Sequence, residues 1–149
     1  MSKRERVATM QRGPVATWMR LVRVFHRVQG HETAALRAHD LSLAQFDVIA
    51  QVGRDEGVTQ QVLADRLLVT KGNICQLLDR LVQRGLLVRQ PDGRANRIVL
   101  TTAGRAVYAE VVPAQEAQMA ALFAPLNADE QAQLRALLRK LERGLDARD

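Results

Sequence analysis

The stretch that decides the fold is residues 59–100, TQQVLADRLLVTKGNICQLLDRLVQRGLLVRQPDGRANRIVL. Thr59 and Thr70 each precede an apolar stripe at helical spacing, which predicts two short capped helices joined by a tight turn at 68–69. The period then changes, because residues 86–89 and 97–100 are short apolar or β-branched runs. Between them Gln-Pro-Asp-Gly is a strong turn signal. This stretch therefore predicts a helix pair followed by a β-hairpin.

Helical patterns also lie on the N-terminal side of this stretch. Pro14 suits the first turn of a helix, and apolar residues at helical spacing extend it to about His39. Ser42 with Gln45 three positions later is a capping box. It predicts a second helix, which Gly53 is expected to end.

Two further helices are predicted on the C-terminal side. Thr102 begins a long helix that Pro113 is expected to bend or interrupt. Asn127 with Glu130 is a second capping box, and it opens the last helix. That helix carries a leucine stripe formed by Leu134, Leu137, Leu138, Leu141 and Leu145.

The predicted fold is mainly α with a small β-hairpin wing, a single winged helix-turn-helix domain over residues 1–149. We expect residues 1–12 to be a flexible basic arm and residues 42–101 to be the DNA-binding winged helix. Residues 13–39 and 103–149 are expected to be dimerisation helices, because an apolar stripe left exposed on one copy would be a liability. A two-fold dimer places two recognition helices about 34–36 Å apart, which implies a palindromic site.

The charge of the chain is distributed in blocks. Of the net +6, residues 1–39 contribute eight basic against two acidic residues, and residues 70–100 contribute six against two. Residues 40–69 and 101–149 are slightly acidic. Two basic blocks predict an anionic partner, of which nucleic acid is the commonest. The alternative is an arginine-rich coding bias, since 19 of the 22 basic residues are Arg.

Composition excludes several other classes of protein. With 47% hydrophobic residues the chain is not intrinsically disordered, and its apolar runs are too short to span a membrane. Cys75 is the single cysteine, so no internal disulfide is available, which is compatible with a cytoplasmic location. The sequence has no G-x-S-x-G, H-E-x-x-H or phosphate-binding glycine loop, so we expect neither an enzyme nor a cofactor or metal. The spacing of His26, His31 and His39 matches no dedicated zinc motif.

The second helix of the pair, residues 71–84, is the expected recognition helix. Asn73 and Gln76 lie on its polar face and are of the type that pairs with adenine, while Lys71 can reach guanine or phosphate. Gly72 either allows the helix backbone to approach the DNA groove closely or is a small residue without a specific role. The alternative for the whole face is an ordinary solvated surface. The candidate DNA-binding residues on this helix and its cap are Thr70, Lys71, Gly72, Asn73, Gln76 and Arg80.

The hairpin supplies the second set of candidate DNA contacts. Arg94 follows the turn and is expected to enter the minor groove, with the Asp92 carboxylate orienting it through a salt bridge. Arg89 and Arg97 flank the tip as candidates for phosphate contacts. The alternative is a solvated turn with a weak surface ion pair.

The segment from Leu41 to Gly104 resembles the MarR family of transcription regulators. The resemblance is carried by LSLAQFDVI, LADRL, LDRLVQRGL, DGRANR and LTTAG. It implies a homodimer with interlocked first and last helices that binds a pseudo-palindromic operator, usually represses, and is released by a small aromatic or phenolic ligand. Asp92 and Arg94 match the family's wing Asp-x-Arg. Cys75 and Gln76 stand where relatives often carry Thr or Ser and Arg, so the bases contacted cannot be copied from a relative.

An effector pocket is expected between the dimer helices and the winged domain. Arg20 or Arg23 would suit an acidic ligand. The alternative is that aromatic residues at helical spacing are simply core. The candidate wall residues are Trp18, Met19, Val22, Phe25, His26, Phe46 and Ile49.

Two further interpretations of function stay open. Cys75 is a candidate thiol sensor, since its oxidation on the recognition helix would disturb docking to DNA. The other interpretation is a dimeric interaction module, in which the winged-helix fold binds protein instead of DNA. Binding that is weak, insensitive to salt and without sequence preference would favour that module.

Overall fold

A computed structural model describes residues 13–148, so the basic arm predicted for residues 1–12 lies outside the described part. The chain forms two compact units, which divide between Pro113 and Ala114. The elements follow in the order α1 Pro14–Leu36, a 3₁₀ turn Arg37–His39, α2 Leu43–Arg54, β1 Val58–Thr59, α3 Gln60–Leu67, α4 Lys71–Gln83, β2 Leu87–Asp92, β3 Ala95–Leu100, α5 Thr102–Phe123 and α6 Ala128–Asp146. The predicted order of helices and hairpin is confirmed.

The start of α2 is the predicted capping box. The Ser42 hydroxyl accepts a hydrogen bond from the Gln45 amide at 3.1 Å, and the Gln45 side chain accepts one from the Ser42 amide at 3.1 Å. Gly53 does not end this helix, which continues to Arg54. A Cβ at position 53 would collide with the ring of Tyr108, so close packing against α5 explains the glycine.

The helix-turn-helix is built as its cap residues predict. The Thr59 hydroxyl accepts from the Val62 amide at 3.3 Å, and the Thr70 hydroxyl accepts from the Asn73 amide at 3.2 Å. Between α3 and α4 the chain turns through Leu68, which adopts the left-handed conformation at φ 53°. These local bonds fix where α4 begins.

The hairpin is longer than predicted, and it belongs to a three-stranded antiparallel sheet of order β1-β3-β2. Pro91 and Asp92, expected in the turn, are the last residues of β2, and Asp92 pairs with Ala95. A two-residue turn remains, in which Gly93 takes φ 60°, a conformation that favours glycine. The two-residue strand β1 was not predicted, because it is too short to show any alternation.

The first unit has one hydrophobic core, to which helices α1, α2, α3, α4 and α5 and all three strands contribute. Its largest fully buried side chains are Leu36, Val48, Ile49, Val52, Leu63, Ile74, Leu78, Leu81, Leu87, Ile98, Leu100 and Val111. Because α4 and the hairpin share this core, the spacing between recognition helix and wing is set by packing.

Helix α5 runs from Thr102 to Phe123 through Pro113, so Pro113 does not interrupt it, and the alternative of a bend at Pro113 stays a prediction. The last helix, α6, begins at the predicted capping box, where the Asn127 side chain accepts from the Glu130 amide at 3.0 Å. No helix within residues 13–148 is long and apolar enough to cross a membrane.

Asp47 on α2 is half-buried beside Glu32 of α1. Burial raises the pKa of the Asp47 carboxyl above its ordinary value of 3.8, and the Glu32 charge raises that pKa further. The folded protein therefore holds this proton more tightly than the unfolded chain does, so ionised Asp47 opposes folding.

Replacing Asp47 by asparagine is expected to raise the thermal unfolding temperature at pH 7. The gain over the wild type should shrink as pH falls through the raised pKa, because Asp47 then becomes neutral as well. Thermal unfolding followed by circular dichroism between pH 4 and 8 measures both effects. Asp146→Asn at the exposed end of α6 is the matched control, and a lower unfolding temperature for Asp47→Asn at pH 7 would contradict the expectation.

Candidate nucleic-acid interface

Helix α4 presents one exposed polar stripe. At about 100° per residue, its four members lie within one quadrant of the helix surface. They are Asn73, Gln76, Arg80 and Gln83, all exposed. The opposite face is fully buried and consists of Ile74, Leu78 and Leu81. The stripe is therefore held rigidly outward by the core beneath it.

The start of α4 and the tip of the wing share a cleft of about 360 Å³. Lys71 and Arg94 both line this cleft, together with Gln60 of α3 and Asn96 of β3. The structure thus brings together the two cations that were predicted separately from the helix and the hairpin. We call this the wing cleft.

Asp92 pairs with Arg97 and not, as predicted, with Arg94. The Arg97 Nε lies 2.5 Å from a carboxylate oxygen of Asp92, and its Nη1 donates to the Gly57 carbonyl at 3.0 Å. The register explains the error: Asp92 faces Ala95, so Arg97 is its diagonal neighbour on the same face of the hairpin. Arg97 therefore ties the hairpin to the segment before β1, and since half of its side chain is exposed its contact with phosphate stays a prediction. Arg94 lies exposed at the turn.

Arg89 also pairs within the protein, and its predicted contact with phosphate stays a prediction. Its Nη2 lies 2.7 Å from a carboxylate oxygen of Asp79 and 3.4 Å from the carbonyl oxygen of Cys75. Both partners are on α4, so Arg89 fastens strand β2 to the recognition helix. The sequence did not show this because Arg89 and Asp79 are ten positions apart on different elements.

The remaining candidates on α4 divide into structural and exposed groups. Thr70 caps the helix, while Lys71 and Gly72 are exposed. A Cβ at Gly72 would meet open space, so no contact within residues 13–148 requires glycine there.

Cys75 is half-buried, and its sulfur lies 2.7 Å from the Nε2 donor of Gln60. Gln60 was not among the residues predicted from the sequence, although it joins the first helix of the pair to the second. No sequence pattern indicated this contact, because Gln60 and Cys75 are 15 positions apart on different helices.

The predicted pocket residues do not share one environment. Trp18, Met19 and Phe25 on α1 are each more than half exposed, whereas Ile49 is fully buried in the core. Val22 and Phe46 are partly buried, and His26 is exposed. Their role in a ligand pocket stays a prediction. Within residues 13–148 no three His, Cys, Asp or Glu side chains are grouped to hold a metal ion.

Comparison with known proteins gives a consistent result. The model of the MarR family matches residues 39–98. An uncharacterized HTH-type transcriptional regulator of Bacillus cereus is 35% identical over 127 residues, which covers 85% of this chain and 86% of the relative. The S. aureus MepR–DNA complex has a TM-score of 0.78 at 23% identity, covering 89% of this chain and 98% of MepR. A MarR family protein of Mycobacterium tuberculosis in complex with salicylic acid has a TM-score of 0.66 at 26% identity, covering 89% and 99% of the two chains.

These findings agree with the geometry. The family match spans the helix pair and most of the hairpin, which are the elements that carry the polar stripe and the wing cleft. The curated relative extends the likeness over most of both chains. The chain belongs to the MarR family of winged helix-turn-helix transcriptional regulators and is a DNA-binding protein.

Proposed function

We propose that this protein is a homodimeric, sequence-specific regulator that binds a pseudo-palindromic operator and represses transcription until a small ligand releases it. The observation that carries the DNA-binding part is the joint exposure of Asn73 and Gln76 beside the wing cleft. Their amides can pair with adenine edges, while Lys71 and Arg94 can neutralise the adjoining backbone. One protomer thus offers base contacts and phosphate contacts on connected surfaces.

Two separate apolar surfaces support the dimer. On α1 the side chains of Trp18, Met19 and Phe25 are between 54% and 61% exposed. On α6 the side chains of Leu137, Leu141 and Leu145 are between 53% and 65% exposed. Such stripes are a liability in a monomer, and a second copy can cover them.

The ligand-responsive part is supported by the family and by one solved structure. The M. tuberculosis relative binds salicylic acid, an aromatic acid. In this protein the candidates for a ligand site are the α1 and α2 side chains of the predicted pocket, with Arg20 or Arg23 available for a carboxylate. A ligand would regulate by binding one conformation of the dimer better than the other.

The test is a selection of binding sites from random DNA with the purified protein, followed by titration of the selected duplex at several salt concentrations. We expect an inverted repeat with half-sites about one helical turn apart and a binding constant that falls steeply with salt. Sedimentation of the free protein should give a dimer. Uniformly weak binding without preference among sequences would exclude the proposal and favour a protein-interaction module.

Replacing Gln76 by alanine is expected to relax the preference for one base pair in each half-site by about 1–3 kcal/mol. The reason is that the glutamine amide can form two hydrogen bonds with one base, whereas alanine can form none. Selection repeated with the variant measures the loss at that position. Gln133→Ala on the exposed surface of α6 is the matched control, and an unchanged site in the Gln76 variant would remove this residue from base recognition.

A further inference from the structure

A second cleft, of about 540 Å³, lies at the far end of helix α4 from the wing. Three arginines from two segments line it: Arg37 from the 3₁₀ turn after α1, and Arg80 and Arg84 from the end of α4. Its other lining residues include Asp40, Ser42 and Gln83. We call it the arginine cleft.

The charge of the arginine cleft is positive and poorly neutralised. Among the described residues, Asp40 is the single acidic one in its lining, against three guanidinium groups. Arg37 and Arg80 are exposed. The positive end of the α2 dipole at Ser42 and the negative end of the α4 dipole at Gln83 both border the cleft, so its positive charge comes from the guanidinium groups.

One of the three arginines is held in place by the backbone. The Arg84 Nη1 donates to the Asp40 carbonyl at 2.7 Å, and its Nη2 to the His39 carbonyl at 3.4 Å. These bonds tie the connector between α1 and α2 to the end of the recognition helix. The bonds of Arg84 therefore hold together the two segments that carry Arg37 and Arg80.

The arginine cleft adjoins the polar stripe of α4. Arg80 and Gln83 belong both to the stripe and to the cleft lining. Seven residues separate Asn73 from Arg80, which is about 10 Å along the helix axis. The major groove is about 12 Å wide, so if α4 crosses the groove with Asn73 at the base edges, Arg80 comes close to the sugar-phosphate strand that borders the groove.

We infer that the arginine cleft grips a backbone phosphate of the DNA at the edge of each half-site, opposite the wing. This rests on the proposed function and extends it. Each protomer then holds the duplex at two places, the wing cleft and the arginine cleft, with the base-contacting residues between them. Phosphate contacts of this kind fix the register of the helix in the groove without adding base preference.

The test compares Arg37→Gln and Arg80→Gln with the control Arg139→Gln, which removes the same charge from an exposed position on α6. For each cleft variant we expect the slope of log K against log salt to become shallower by about 0.9 for each phosphate that is no longer neutralised, with the selected sequence unchanged. The control should keep the wild-type slope. Unfolding temperatures close to the wild type establish that the variants are folded.

A second measurement locates the phosphate. A single neutral methylphosphonate is placed in turn at each position flanking the half-site, in the DNA rather than the protein. At one position it should weaken binding by the wild type more than binding by Arg37→Gln, because the variant has already lost one of the guanidinium groups that hold that phosphate.

Several results would overturn the inference. The inference is wrong if Arg37→Gln and Arg80→Gln show the same salt slope of DNA binding as Arg139→Gln. It is also wrong if each methylphosphonate weakens binding equally in the wild type and in Arg37→Gln. A third result would assign the cleft to a free anion instead of DNA. In that case inorganic phosphate would raise the unfolding temperature of the wild type but not of Arg37→Gln, and the salt slope of DNA binding would be the same in both proteins. If the wild type itself shows no preferred sequence, the proposed function fails, which is a distinguishable outcome.

Discussion

Replacing Arg94 by alanine is expected to reduce affinity for the selected operator about 30-fold or more. The residue is exposed at the wing turn and lines the wing cleft with Lys71. An arginine there can enter a narrow minor groove, where the negative potential is strongest. A loss of about 1–3 kcal/mol per wing is reasonable for such a contact, and a dimer has two wings. Fluorescence anisotropy with the selected duplex measures the loss.

The control for Arg94 must remove an arginine without touching the interface. Arg105 on α5 is suitable, because it is exposed and pairs with Glu56 at 2.8 Å. Arg105→Ala should bind the operator nearly as the wild type does. Arg94→Ala should remain dimeric by sedimentation, and wild-type affinity in this variant would exclude the wing tip from DNA binding.

Replacing Gly104 by alanine is expected to lower the free energy of unfolding by about 3 kcal/mol, the upper end of the cost of overpacking. A Cβ at this position would collide with the carbonyl oxygen of Leu86 and approach the side chain of Leu100 to 3.3 Å. The Leu86 carbonyl also accepts the Thr101 amide at 3.1 Å, so it cannot move away without losing that bond. Helix α5 would have to shift instead.

Chemical denaturation followed by circular dichroism measures this effect at a fixed protein concentration. Gly144→Ala is the matched control, since Gly144 is also helical but a Cβ there meets nothing within 4 Å. That control should gain about 0.5–1 kcal/mol, the usual difference between alanine and glycine in a helix. Equal stabilities of the two variants would show that α5 and the hairpin are not in close contact at this point.

The features predicted well from the sequence are those set by local bonds. The caps at Ser42, Thr59, Thr70 and Asn127 each involve a side chain and an amide three residues away, so a short pattern contains all the information. The buried stripe of α4 follows equally from its helical spacing. Together these features place the recognition helix and the hairpin in order along the chain.

The features predicted poorly depend on which elements meet in space. Arg89 and Arg97 were expected to contact phosphate, and the sequence did not show that they also pair with Asp79 and Asp92. A one-dimensional pattern does not show the register of β2 and β3 or the packing of β2 on α4. Gly53 was misinterpreted for the same reason, since the ring it accommodates comes from Tyr108, 55 residues later.

The two bonds of Arg97, to Asp92 and to the Gly57 carbonyl, have a kinetic consequence. They preorganise the hairpin before any encounter, so little loop entropy is lost when it docks. The wing should therefore contact DNA as a rigid body. The association rate constant should then depend on diffusion and charge and not on a slow ordering step.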